Sequence, residues 1–152
     1  MIDRGALLDW LASQAAARPR AQRLDIFLYA RRPEELWPRM SAMLSAASIG
    51  HALTGAAAAA LHNAGPTAVP LTLVRIAADV LLARAARALD AEVAERGANI
   101  RLVADTGGVG TIGAEMIKGT SVAPPVRIYL DALGERRGDD IASHFREAVL
   151  GY

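Results

Sequence analysis

The sequence predicts a single mixed α/β domain (α/β shading into α+β), with a central sheet of short strands flanked by helices. Three observations point there. Runs rich in β-branched and apolar residues, at 25–29, 70–76 and 99–104, alternate with stretches whose apolar side chains recur at helical spacing. The chain is 152 residues long, with no internal repeat and no long linker, so residues 1–152 fit one domain able to bury a core. Residues 40–74 contain no Asp, Glu, Lys or Arg, which marks them as interior.

The elements follow in order. Residues 3–17 read as a helix with Ala6, Leu7, Trp10 and Leu11 along one face, and Pro19 sits in the loop after it, so residues 1–20 form an N-terminal helix and loop. Residues 25–29 read as a strand. Pro33 opens a second helix with Glu34 and Glu35 near its positive end and a stripe of Leu36, Met40, Met43 and Leu44. A strand over 49–53 runs into Thr54, a good N-cap, and a helix through the alanines 56–60 that stops near Asn63-Ala64-Gly65-Pro66. Residues 70–76 are β-rich and 79–89 helical. Glu92 and Val93 start a short strand turned by Arg96-Gly97, 99–104 form another, and 111–117 are expected to pair with it across a glycine cluster. Pro124-Pro125 start a helix with the face Val126, Leu130 and Leu133, Tyr129 lying beside it. The last helix begins near Gly138, carries Asp139 and Asp140 in its first turn, and shows Ile141, Phe145 and Val149 at four-residue steps.

Composition narrows the function classes. Apolar residues make up 53% and charged ones 22%, which suits a globular chain and not a disordered one. A net charge of +1 supplies no general attraction for nucleic acid. Without cysteine there is no disulfide, thiolate zinc site or cysteine nucleophile, and a reducing cytoplasm is the natural setting. No secretory leader is expected, because Asp3 and Asp9 interrupt the N-terminus. A spanning helix needs about 20 strongly apolar residues in a row. The uncharged stretch instead holds His51, Asn63, two prolines and three glycines, so it reads as core and no membrane partner is expected.

Gly108, Gly110 and Gly113 spell a literal G-x-G-x-x-G after a strand. A dinucleotide site would need a long helix behind those glycines, its N-terminus aimed at the pyrophosphate. The segment 114–118 is too short for one, so a hairpin turn is the better reading and a nucleotide-binding protein or enzyme the alternative. His51, His62 and His144 lie far apart in sequence, and no carboxylate stands between His51 and His62, so no metal site is expected. None of the serines sits in G-x-S-x-G. The acidic pairs Glu34-Glu35 and Asp139-Asp140 begin helices, where the macrodipole accounts for them. Arg18, Arg20 and Arg23, with Arg31 and Arg32, are the densest positive region. They read first as a solvated loop and second as a contact for nucleic-acid phosphates or a partner.

Several segments recur in a meaningful order. They are Leu53-Thr54-Gly55 before alanines, Gly97-Ala98-Asn99-Ile100-Arg101-Leu102, Ile128-Tyr129-Leu130-Asp131, Arg137-Gly138-Asp139-Asp140, and Arg146-Glu147-Ala148-Val149-Leu150-Gly151. From about residue 5 to the end, the set resembles the C-terminal domain of the AbiEi-like antitoxins of type IV toxin–antitoxin systems. The resemblance implies a bacterial regulator: an α/β domain coupled to an N-terminal winged helix that binds operator DNA, counteracting a nucleotidyltransferase-like toxin without necessarily touching it. The residues ahead of the α/β region are too few for a winged helix, so the expected unit is the α/β domain without it. The strand–glycine–helix at Leu53–Gly55 also resembles the opening of nucleotidyltransferase folds. The strand 71–76 lacks the metal-binding carboxylate pair and carries Arg75 instead, so any such core would be degenerate and catalytically empty.

The expectation is therefore a non-enzymatic domain with no catalytic, cofactor-binding or metal-ligating set. Thr54, Gly55, Tyr129, Asp131, Arg137 and Gly138 carry the resemblance and are expected mainly to shape the fold. Gly55 would permit a turn and Tyr129 act as an anchor, while Asp131 would bond locally to the Arg136-Arg137-Gly138 turn. A generic protein-interaction module is the remaining alternative.

Overall fold

A computed structural model describes residues 3–152. Its mixed α/β architecture is the fold class the sequence predicts. In chain order the elements are α1 (Arg4–Ala17), β1 (Arg23–Phe27), α2 (Pro33–Ala46), β2 (His51–Thr54), α3 (Gly55–Leu61), β3 (Thr72–Ala77), α4 (Leu82–Ala88), β4 (Glu92–Val93), β5 (Ile100–Asp105), β6 (Glu115–Ile117), β7 (Thr120–Val122), α5 (Pro125–Leu133) and α6 (Gly138–Phe145), closed by a wider helical turn at Arg146–Leu150. The strands make one seven-stranded sheet in the order β4-β1-β5-β3-β2-β7-β6. β3 is parallel to β5 and β2 to β7; the other neighbours are antiparallel.

The two faces of the sheet differ in chemistry because side chains alternate along each strand. One face carries Ile26, Ile100, Leu102, Val74, Ile76 and Leu53, all fully buried, under α2 and α4. Trp37 of α2 donates from Nε1 to Thr72 Oγ1 at 2.9 Å, pinning that helix to the centre of the sheet. The opposite face carries Asp25, Arg101, Arg75, Asp105 and Thr54, in the registers Asp25↔Arg101, Arg75↔Val103 and Ala77↔Asp105. α3 and α5 cover its β2–β3 half, α6 packs on both, and α1 lies on α5. Over β1 and β5 this face is partly open, and Phe27 is 42% exposed.

Several expectations need correction. Residues 111–117 do not pair with β5: β6 lies at the far edge of the sheet and forms a hairpin with β7 through Lys118 and Gly119, both at positive φ. On α1, Leu8 is the buried residue, whereas Leu7 is 47% and Trp10 57% exposed. The helix is apolar nearly all round, so periodicity could not select its inner face. On α5 the buried positions are Ile128, Tyr129 and Ala132, with Val126, Leu130 and Leu133 only half-buried. The first strand begins two residues early, at Arg23, because its pairing with β5 runs to Arg23↔Val103. Asn99 extends that pairing past the strand end: its side chain donates to Leu28 O (2.7 Å) and accepts from Leu28 N (2.9 Å), replacing one rung of the ladder.

The inner face of α1 is directly testable. Leu8→Ala should cost about 2–4 kcal/mol, the scale of a buried Leu truncation. Trp10→Ala should cost under about 0.5 kcal/mol, as a surface change does. Urea melts of both variants decide which stripe is inside.

Candidate functional site

The polar face of the sheet gathers its charges at one place. Arg75 projects from the middle of β3 and binds Asp131 of α5 in bidentate fashion, Nε and Nη2 each 2.7 Å from a carboxylate oxygen. Its Nη1 donates to Asp105 Oδ1, at the end of β5, at 3.0 Å. Asp131 also accepts from the Thr54 hydroxyl at 2.7 Å and pairs with Arg127, one turn earlier, at 3.1 Å. Two guanidiniums and two carboxylates thus neutralise one another in a nearly enclosed space, with Asp105 fully buried. Burial opposes charge on Arg75, but Asp131 and Asp105 outweigh it and raise the pKa above the ordinary arginine value. Arg127 goes the other way: burial lowers its pKa, and the like charge of Arg75 adds to that.

Asp131 therefore does not bond to the turn at 136–138; it reaches across to β2 and β3. The expected cap is corrected with it. Thr54 occupies the N-cap position of α3, but its hydroxyl is spent on Asp131. The amide of Ala56 is satisfied instead by Glu135 Oε2, 2.6 Å away and 79 residues on in sequence. Gly55, at φ +64, makes the reversal from strand to helix, and a Cβ there would strike the Glu135 carboxylate. Burial pushes the Glu135 carboxyl up to about 7, helped by the nearby Asp131 charge and opposed by the Ala56 amide and Arg101. Arg101 is itself held by Asp25 at 2.7 and 3.0 Å.

The glycine cluster serves the same centre. Asp105 accepts from the Gly110 amide at 3.0 Å and from the Thr111 amide and hydroxyl at 2.8 and 2.7 Å. Burial tends to raise the Asp105 pKa, but the Thr111 and Gly110 donors and Arg75 together hold it below the usual carboxylate range. Gly110 packs so close to the Arg75 side chain that a Cβ would collide with Cδ. Donors that a phosphate loop would aim at its ligand here turn inward onto an aspartate.

A second polar network lies on the other side of the sheet. Ser41 of α2 and His51 Nε2 are 2.7 Å apart, and His51 Nδ1 is 2.9 Å from Ile49 O. With the proton on Nδ1, the ring donates to that carbonyl and accepts from the serine hydroxyl. Ser121 closes the network, its amide donating to Ser41 Oγ and its hydroxyl to His51 O. Ser41 and His51 are 1% and 6% exposed, so no substrate reaches this serine–histidine pair. Burial lowers the His51 pKa, with the Ile49 contact opposing, and favours the neutral ring. The network ties α2, β2 and β7 together.

The remaining sequence-predicted residues disperse. Tyr129 is 7% exposed, and Arg146 lies over its ring at 5.7 Å. Arg146 also bonds to Asp9 at 2.7 Å and to Tyr152 O, fastening the tail to α1 and α5. Arg137 is exposed at φ +59 just before α6, and Gly138 is buried where a Cβ would strike the carbonyls of Ala132 and Leu133. Arg18, Arg20 and Arg23 lie at one end of β1 and Arg31 and Arg32 at the other, all exposed. The strand separates them by more than about 10 Å, at ~3.3 Å per residue, so they form no single patch. His62 and His144 do not converge with His51, and among the described residues no group of three or more His, Asp or Glu is placed to hold a metal. Among the described residues no helix is long and apolar enough to cross a membrane.

Sequence reasoning did not assemble the centre formed by Arg75, Asp105, Arg127 and Glu135. Two signals were present: a lone arginine inside the otherwise apolar strand 71–77, and Arg127 and Asp131 at i, i+4.

Asp131→Ala should cost about 3–5 kcal/mol, because it leaves two half-buried guanidiniums without their shared carboxylate. Urea melts at constant m-value measure it. Arg75→Met combined with Asp131→Ala should cost less than the sum of the single changes. Additive losses would mean that the two side chains act independently. Comparison with family models, with curated proteins and with solved structures finds no match to this chain.

Proposed function

We propose that this domain is a non-catalytic regulatory module, similar to the α/β domain of AbiEi-like antitoxins, acting in the bacterial cytoplasm to counter a nucleotidyltransferase-like toxin. One observation carries the reading. The segments on which the resemblance rests, remote in sequence, meet in space: Thr54 of Leu53–Gly55 donates to Asp131 of Ile128–Asp131 at 2.7 Å. The stretch 97–102 supplies Asn99 and Arg101 to the same sheet, and the Arg146 tail closes over Tyr129. That these segments contact one another in one fold is what supports reading them together.

The chemistry of the centre supports a scaffold. A catalytic site holds back some polar capacity for its substrate, with donors aimed at a reacting atom. Here Arg75, Asp105 and Asp131 direct their hydrogen bonds at one another and at the chain, and in the same centre Arg127 Nε is the buried donor left without a partner among the described residues. The exposed arginines at the two ends of β1 are phosphate contacts of secondary weight in this reading. Operator DNA would be read by a winged helix, and neutralisation does not require the domain to touch the toxin.

This reading requires a nucleotidyltransferase-like toxin encoded beside the gene; in cells expressing that toxin, co-expression of the domain should restore colony formation, and Asp131→Ala should abolish the rescue. Failure of the intact domain to rescue overturns the proposal. Titration with NAD, ATP and CTP should show no micromolar binding; a micromolar dissociation constant for any of them favours the nucleotide-binding reading instead.

A further inference from the structure

We propose that Glu135 is a proton-operated latch: protonated, it holds the α5–α6 corner against the first turn of α3, and ionised, it favours a loosened corner in which its carboxylate reaches water. The inference rests on the corner's geometry and stands whether or not the domain is an antitoxin.

Glu135 is the one carboxyl of the polar centre without a cation of its own. Every element packed around it contributes to that. From α5, Asp131 presents a carboxylate already claimed by Arg75, Arg127 and Thr54. From β5, Arg101 acts on it through space but is committed to Asp25 of β1. α3 brings no charged side chain, being Gly55–Leu61 with alanines between, and offers only the Ala56 amide. From α6, Asp139 and Asp140 line the same cleft as Glu135, with Arg137 the single positive group among them. Ionisation thus adds a fourth negative charge beside Asp131, Asp139 and Asp140, where Arg75, Arg101 and Arg127 are engaged elsewhere and Arg137 alone faces the cleft.

The corner borders open space. A cleft of about 370 Å³ opens beside it, lined by Leu133, Glu135, Arg137, Gly138, Asp139 and Asp140. The turn contains Gly134 and Gly138 and places the non-glycine Arg137 at φ +59, a sparsely populated conformation that relaxes if the turn is released. Glu135 is the hydrogen-bonding side chain that ties this turn to α3. Loosening it frees the α3 amide end and widens the cleft without touching the Arg75–Asp131 pair.

The direction follows from linkage. An acid whose closed-state pKa stands at about 7, against 4.5 when solvated, favours the closed corner fully below about pH 4.5 and loses that preference as pH rises through about 7. Between pH 5 and 8 the opening equilibrium should rise on the order of 50-fold.

The test uses the full chain. Carbon-13 titration of side-chain carboxyls should place the Glu135 midpoint near neutrality; a midpoint in the ordinary glutamate range overturns the latch, and needs no variant. Amide exchange at Ala56, corrected for the pH dependence of the exchange chemistry, should accelerate on the order of 50-fold from pH 5 to 8, while Val74 and Ile76 of β3 stay protected. Glu135→Gln, whose amide oxygen can still accept from Ala56, should show a flat profile. A profile for Glu135→Gln matching that of the unaltered protein would sink the proposal.

Discussion

A single guanidinium organises this domain. Arg75 stands in the middle of a central strand, on the face where α3 and α5 must pack, and a charge there cannot be left without partners. Asp131 supplies one carboxylate from α5 and Asp105 another from the end of β5. The bidentate bond to Asp131 sets the rotation of α5 about its axis, because only that face of the helix can reach β3 while Ile128 and Ala132 are buried. Once α5 is fixed, Tyr129 is fixed with it, and through Arg146 so is the way α1 lies against α5. A buried ion pair of this kind contributes little net stability compared with an apolar pair of equal volume, but breaking one side of it is costly. Its consequence is geometric: the helix layer has one register on the sheet.

The glycines make sense in the same frame. Gly110 lets the loop after β5 pass against the Arg75 side chain, and the amides of Gly110 and Thr111 then converge on Asp105. Gly55 leaves room for Glu135 at the start of α3. Both positions resemble places where backbone approaches a bound anion, and in both the anion is a carboxylate of the chain itself. In the G-x-G-x-x-G spelling, Gly110 answers to its close approach to Arg75, while Gly108 and Gly113 answer to positive φ, and neither cause requires a ligand.

Much of the architecture was legible from sequence. The mixed α/β class, the interior placement of residues 51–61 within the uncharged stretch 40–74 and the Leu36–Leu44 stripe of α2 all follow from burial of apolar surface, which leaves a periodic trace, whereas nine residues of that stretch, Ala42 and Pro70 among them, are exposed. Legibility failed where that trace is absent or ambiguous. The first helix is alanine- and leucine-rich on every side, so the expected face of Ala6, Leu7, Trp10 and Leu11 leaves Leu7 and Trp10 exposed while Leu8 is buried. The partner of β6 depended on a long-range choice between two edges of the sheet, which local alternation does not encode. The polar centre was the least visible part, since its bonds join residues 56, 77 and 79 positions apart. Asp131 was singled out correctly and given a local role, because a helix-end aspartate beside arginines has an obvious near neighbour. What outbids that neighbour is a cation presented by a strand whose proximity exists only once the sheet is assembled.

The two sides of the sheet then divide the labour. On the α2 side the polar groups are neutral, with Ser41, His51, Ser121, Trp37 and Thr72 satisfying one another through uncharged hydrogen bonds. Burial lowers the His51 pKa and so favours the uncharged imidazole that this network uses. On the α5 side the groups are ionic, and their balance is complete except at the corner between α5 and α6. Arg75 and Arg127 offset Asp105 and Asp131, and Arg101 offsets Asp25. Glu135 remains, capping a helix whose own charge-free sequence leaves the role to a residue from elsewhere. A scaffold stabilised only by apolar burial would be indifferent to its ionic surroundings. On the ionic face of this one, the carboxyl that lacks a cation of its own sits at the corner beside an open cleft, and the proposed latch is placed there for that reason.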